Sequence, residues 1–498
     1  MDLMWRPKEL YNTKTGLILL LTFAAGCLTY FQEITNFSLS VDEEYAFFSW
    51  PGESIHWWYA LGRWGSGLLD SIFRIFPYTP AFTMFLMIFF LSLAAVLAGS
   101  YFFSSVYSVI LFSLIFVTCP QFAYQAEFAQ QADTVAFGFL LSIVAGILLS
   151  EATFKKENIS FKVALGIFAY CFSLGIYQSF ISIPIMIFLF SGVMAMERGD
   201  ICSVKESIFL GLRFCVVTGV SIVLYFLITK FFRYAMHAPM PEYLNGTIYW
   251  SHQPFGTALN NTLVIIGQTW KGRYFAGDAL FVLNIFVILF VFFRAAEKVS
   301  SIFFYALFII FSTFGPFLIA IALGGVQGPR VLLGIGLLSA FYCAYALKDF
   351  SPKFQKILCC AGALVFVYYS ASVVNTLFFS DYMARKIDES AANRLFASIQ
   401  SKYSDFDITK DKLGFVGKLN IENHWRLKKS DTFGVSEFNF ADGDPQRMVR
   451  FIALFAGVNI ALPDDLAAKT AEVRRLPAWP ASGSIIKLGN NYYVHLGE

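Results

Sequence analysis

Eleven stretches of this chain are too apolar to lie in water. They run at roughly 15–33, 80–100, 102–119, 134–151, 161–177, 179–196, 206–230, 278–294, 300–323, 331–347 and 356–378. A helix needs about 20 predominantly apolar residues to cross a bilayer, and each stretch comes near that length. Residues 82–118 and 163–196 contain no charge at all, and each run is long enough for two spans. Tyr177-Gln178-Ser179 supplies a polar turn in the second run, and the first is expected to break near Ser100. Only 14% of the 498 residues are charged, against about 25% in soluble proteins. The fold class expected is therefore a polytopic, all-α membrane protein with about eleven transmembrane helices.

Positive charge in the short loops sets the expected orientation. Arg6, Lys8 and Lys14 precede the first span. Lys155, Lys156 and Lys162, then Arg198 and Lys205, then Arg294 and Lys298, then Lys348, Lys353 and Lys356 occupy alternate loops. With eleven spans all of them share the cytoplasmic side, and the C-terminal tail emerges outside. Three sizeable pieces then face outward: loop 34–79, loop 231–277 and the tail 379–498. Shorter outer loops lie near 120–133 and 324–330. Ala25-Gly26-Cys27 faintly resembles a lipoprotein cleavage site, but an uncleaved first helix fits the loop charges better.

The division expected is a membrane domain over 1–378 and an outer domain over 379–498. In the tail, 380–402 patterns as an amphipathic helix with Leu395, Phe396 and Ile399 on one stripe. Residues 412–420 alternate like a strand, and 445–457 pattern as a helix. Ser484–Leu488 and Tyr492–Leu496 form a hairpin turning at Gly489-Asn490-Asn491. A small α/β domain follows. The eight cysteines lie in or beside apolar segments without the spacing of a zinc site, so they are expected to pack as small apolar side chains. The net charge of +3 is spread out, and no basic run suggests nucleic acid. No Gly-rich phosphate loop is present, and the short cytoplasmic loops leave no room for a nucleotide-using domain.

Asp42-Glu43-Glu44 is the sharpest chemical feature. Three adjacent carboxylates follow the first span, bracketed by Phe37, Leu39, Val41, Tyr45, Phe47, Phe48 and Trp50. An apolar setting raises a carboxyl pKa towards the neutral range that a general base needs. The bland alternative is a hydrated loop apex. Trp57-Trp58-Tyr59 and Gly62-Arg63-Trp64 follow in the same loop. Trp58 and Trp64 suit either an interfacial belt or stacking on sugar rings, with Arg63 orienting a carboxylate or phosphate. His56 receives no role. Gly328-Pro329-Arg330 heads the tenth span on the outer side, where arginine runs against the positive-inside bias. Snorkelling to anionic lipid is one account of Arg330; a forked grip on a phosphate is the sharper one. Lys271 and Arg273 are second candidates for that grip. Glu127 and Asp133, in the second outer loop, are candidates to bind an acceptor or to support Arg330. An acid to deprotonate a hydroxyl and a base to neutralise a leaving phosphate together suit sugar transfer from a polyprenyl-phosphate carrier.

At these residues the chain resembles the serotype-converting O-antigen glucosyltransferases of bacteriophage and prophage clusters, within the GT-C class of integral-membrane glycosyltransferases. The resemblance rests on Asp42-Glu43-Glu44, Gly62-Arg63-Trp64, Gly328-Pro329-Arg330 and the terminal Ile485-Ile486-Lys487-Leu488-Gly489. It implies a GT-C-like membrane domain that moves glucose from undecaprenyl-phosphate glucose onto an O-antigen sugar of lipopolysaccharide at the periplasmic face of the inner membrane. It further implies an inverting step, giving an α-glucoside from a β-linked donor. A donor synthase and a small flippase of the same pathway would be partners, and no cofactor is expected. The base would come from the first outer loop. Asp42 is the first choice, Glu43 would orient the acceptor or pair with Arg63, and Glu44 would stand by. Rival readings are a GT-C transferase for another sugar or for lipid A, an O-antigen polymerase or ligase, and a lipid-linked sugar transporter. Polymerases and ligases rely on basic outer loops without an acid cluster after the first span. Transporters tend to show inverted repeats and mid-helix polar breaks, whereas this chain shows no internal repeat and few charges inside its spans.

Overall fold

A computed structural model describes residues 13–154, 160–201, 203–325, 328–457 and 459–498. Arg6, Lys8, Lys155 and Lys156, on which part of the orientation argument rests, lie outside the described residues. The chain forms two compact units. One comprises residues up to Ile34 with Pro51–Asn375; the other joins Thr35–Trp50 to Thr376–Glu498.

The first unit is helical. Among the described residues, eight helices of the chain are long and apolar enough to cross a membrane: Pro80–Phe102, Val106–Ala126, Ala129–Phe154, Gln178–Glu197, Val204–Ala235, Asp278–Ala296, Ile302–Leu323 and Pro352–Lys402. Three shorter apolar helices, Lys14–Thr29, Phe161–Ile176 and Gly334–Ala346, fall on the remaining expected segments. They are shorter than the about 20 residues a span needs, so a count of eleven spans is not established by helix length. The first uncharged run breaks at Phe103–Ser105, slightly beyond Ser100. The second breaks at Tyr177, whose extended backbone separates two helical pieces.

Apolar helices still carry hydroxyls, and those are satisfied locally. Thr22, Thr29, Ser92 and Thr118 each donate to the carbonyl four residues back, at 2.7–2.8 Å. Loops that the lysine pattern assigns to one side also touch one another. Glu197 takes Lys348 at 3.1 Å and Arg294 at 3.9 Å. Seven free cysteines are described, among them buried Cys119, Cys171 and Cys359, and Cys202 lies outside the described residues.

In the second unit the helix ending at Lys402 turns Leu395 and Ile399 fully inward, with Phe396 partly covered. Strand β1 (Lys412–Gly417) matches the expected alternating segment, and the terminal hairpin is β2 (Ile485–Leu488) against β3 (Asn491–Gly497), antiparallel. β1 adds to the other side of β3 in parallel, giving the order β1-β3-β2. Helix Pro445–Ala456 begins where Asp444 accepts the Gln446 N–H at 2.9 Å and Pro445 opens the first turn. Met448, Val449, Phe451 and Ile452 of that helix join Leu413, Phe415, Tyr492 and Val494 in one core. Helix Leu466–Val473 has no counterpart in the sequence reading.

Candidate active site

The acid triplet belongs to the second unit. Ser40 and Glu43 close a tight turn from both sides. The Glu43 N–H donates to the Ser40 carbonyl at 3.2 Å, and the Glu43 carboxylate accepts the Ser40 N–H at 2.9 Å. Only the glutamate half of a capping box is present, because the Ser40 side chain is turned to another partner. The Ser40 hydroxyl donates to Asp381 at 2.5 Å, and Asp381 also accepts the Gly434 N–H at 3.0 Å. Asp42 sits at the turn with φ 74°, a left-handed conformation that Asp tolerates better than most residues.

Helix Glu43–Ser49 follows, and the three carboxylates part company. Glu43 is fully buried, and the Glu44 side chain is 1% exposed. Asp42 retains 46% exposure. A residue absent from the sequence reading joins two of them. Arg447 donates through Nη2 to Asp42 at 2.6 Å and through Nη1 to Glu44 at 2.7 Å. Its guanidinium lies over the Phe440 ring at 5.0 Å. Burial pushes the Glu44 carboxyl up, while Arg447 pulls it back. Behind them Arg385 pairs with Glu437 at 2.8 Å and Asp388 at 3.2 Å. Because Arg385 is shared, burial prevails at Glu437 and pushes its carboxyl up to about 8.

The remaining candidates belong to the first unit. Gly62 adopts φ 75° in the turn before Arg63. Three side chains hold the carbonyls of that turn: Arg233 on Ala60 at 3.1 Å, Gln178 on Leu61 at 2.9 Å and Tyr225 on Gly62 at 3.3 Å. Arg63 then lies over Tyr177 at 4.6 Å and donates to Gln131 at 3.1 Å, and its buried Nε has no hydrogen-bond partner among the described residues. Arg330 lies over Phe128 at 4.8 Å. Phe128 and Gln131 form one turn, the Gln131 N–H donating to the Phe128 carbonyl at 3.0 Å. Two guanidiniums thus rest on the one turn that holds Phe128 and Gln131. Among the described residues neither makes an ion pair, whereas Arg74, Arg294, Arg385 and Arg447 all do.

The tryptophans are packed rather than presented. Trp64 is 4% exposed, stacked on Phe232 and edge-on to Phe172. Trp58 is buried and donates to Asp70 at 2.8 Å. Burial pushes the Asp70 carboxyl up to about 6, against the pull of Arg74. Asp133 is taken by Arg74, and Glu127 is 2% exposed. Lys271 and Arg273 are exposed on either side of Gly272, which adopts φ 63°. Arg74 and Asp133 also border a cleft of about 570 Å³ walled by Phe73, Phe82, Phe90 and Phe137, a space that suits a hydrocarbon chain. Among the described residues no group of three or more His, Cys, Asp or Glu is arranged to hold a metal ion.

Eight apolar helices long enough to cross a membrane, among the described residues, define a membrane-embedded protein. The family model for glucosyl transferase GtrII matches residues 32–341, more than half of the chain, and the chain belongs to that family. It is accordingly a glucosyltransferase of O-antigen modification. The matched stretch contains Asp42, Arg63 and Arg330 and ends before Arg447. No curated protein and no solved structure matches the chain.

Proposed function

We propose that the chain transfers glucose from undecaprenyl-phosphate glucose to a sugar of the O-antigen repeat, at the periplasmic face of the inner membrane. An acceptor hydroxyl attacks C1 of the glucose. The C1–O bond to phosphate breaks with inversion, and the hydroxyl proton passes to Asp42. Undecaprenyl phosphate leaves with its charge met by Arg330. The donor synthase and flippase act before this step, and the step itself needs no cofactor.

One observation carries the choice of base: of the three adjacent acids, Asp42 alone keeps substantial exposure, while Glu43 and Glu44 are enclosed. A base must come within about 2.6–3.2 Å of the hydroxyl it deprotonates, and a sealed carboxylate cannot. Arg330 supports the phosphate role because its fork is not committed to a carboxylate among the described residues.

Structural analysis of lipopolysaccharide from cells with and without the chain tests the reaction. The expected difference is one α-linked glucose per modified repeat. An unchanged O-antigen, or a different added sugar, contradicts the proposal.

A further inference from the structure

We propose that Arg447, in the C-terminal unit, is a positioning residue for the transferase: it fixes the Asp42 carboxylate by one oxygen and leaves the other to face the acceptor. The proposal rests on the reading of Asp42 as the base.

Two nitrogens of one guanidinium reach two carboxylates, Asp42 at 2.6 Å and Glu44 at 2.7 Å. Only Asp42 Oδ1 is engaged, and among the described residues Arg447 is the partner of that carboxylate. Among the described residues Asp42 makes no side-chain capping bond to its own helix that would restrain it further. An aspartate at a positive-φ apex, 46% exposed, would otherwise sample several rotamers.

Arg447 is itself held. It stands in the first turns of a helix started by Asp444 and Pro445, and Phe440 covers its flat face. Glu44 supplies the second anchor, since a buried carboxylate orients a guanidinium firmly. The fork therefore works as a ruler between a buried acid and a half-exposed one. Lysine, a point charge, cannot span both in that geometry. The tail thus acts on the chemistry through a residue 405 positions away in the chain.

The alternative is a clamp that only holds the acid segment against its own unit. Kinetics of the purified full chain in lipid nanodiscs separate the two, with polyprenyl-phosphate glucose and an O-antigen acceptor. Arg447→Lys and Arg447→Ala are compared with Glu44→Gln/Arg447→Gln, which removes the buried charge together with its partner and so preserves folding. Positioning predicts a fall in kcat of at least about tenfold in all three per folded molecule, with KM for the donor unchanged. It also predicts partial recovery of Arg447→Ala turnover in millimolar guanidinium, with no recovery in ammonium. Normal kcat in Arg447→Lys and in the double variant overturns the proposal. So does a loss that merely tracks the folded fraction and ignores guanidinium. Asp42→Asn runs alongside: if it stays active, the base assignment fails on its own, whatever Arg447 does.

Discussion

Gln121 donates its side-chain amide to the carbonyl of Pro329 at 2.8 Å, one residue before Arg330. The glutamine is fully buried, so the bond is shielded from water and fixes the short turn Pro329–Val331 that carries the arginine. Gln121 lies in the loop expected to face outward near 120–133, and Arg330 in the one near 324–330.

Removing the arginine and removing its support should differ in size. Arg330→Ala is expected to lower turnover by on the order of a hundredfold, the usual loss when a charged transition-state donor goes. Arg330→Lys should recover part of it, because charge returns without the fork. Gln121→Leu should cost less than Arg330→Ala, since the guanidinium remains but its turn loosens. Steady-state rates of the three purified variants check the order. Normal turnover in Arg330→Ala would shift the role to Arg63, which rests on the same turn, or to Lys271 and Arg273.

Packing around Trp64 makes a stability prediction. A Cβ built on Gly175 would stand 2.5 Å from the indole Cε2, closer than side chains approach. Gly175→Ala should therefore destabilise the first unit by about 1–3 kcal/mol through overpacking. Thermal unfolding in detergent measures it, and an unchanged midpoint would show that the indole can shift freely.

Stability of the second unit should fall as the pH rises from about 4.5 to about 8. Glu437 titrates at about 8 when folded against 4.5 as its ordinary value. Burial is the main cause, Glu44 and Asp388 add to it, and Arg385 and Arg447 oppose it. A raised folded pKa means that the folded form binds a proton the unfolded chain releases. The stabilisation is thus complete below about pH 4.5 and is lost as the pH rises through about 8. The unfolding midpoint should drop between about pH 4.5 and pH 8, and Glu437→Gln should flatten that drop. A midpoint that rises with pH would contradict the assignment.

Topology has its own test. A reporter fused after Glu498 should be active as alkaline phosphatase and dark as a cytoplasmic fluorescent protein. The reverse pattern would place the acid segment and its domain on the cytoplasmic side.

The apolar helices were legible because burying twenty residues in lipid requires an uninterrupted apolar run, and such runs survive any tertiary context. The hairpin was legible from Gly489-Asn490-Asn491, a local turn. Arg447 was not: Asp444-Pro445-Gln446-Arg447 reads only as a helix start, and nothing local ties it to an acid 403 positions earlier. The same holds for Thr35–Trp50, which leaves its sequence neighbours to fold with the tail. Trp58 and Trp64 suggested a sugar platform because exposed aromatics do stack on sugars. Their burial is set by distant partners, Asp70 and Gly175. A signal was available for Trp64: the small residues Gly65 and Gly175 are what a close helix contact needs. Without the fold, the two could not be paired.

The base assignment is tested most directly by the turnover of purified Asp42→Asn with polyprenyl-phosphate glucose and an O-antigen acceptor, beside Glu43→Gln and Glu44→Gln. Asparagine keeps the size, tolerates the left-handed backbone at this position and still accepts from Arg447, but it cannot take a proton. The account predicts a loss of at least about a hundredfold in Asp42→Asn, with normal amounts of folded protein and much milder losses in the two glutamines. Near-normal turnover in Asp42→Asn would contradict it.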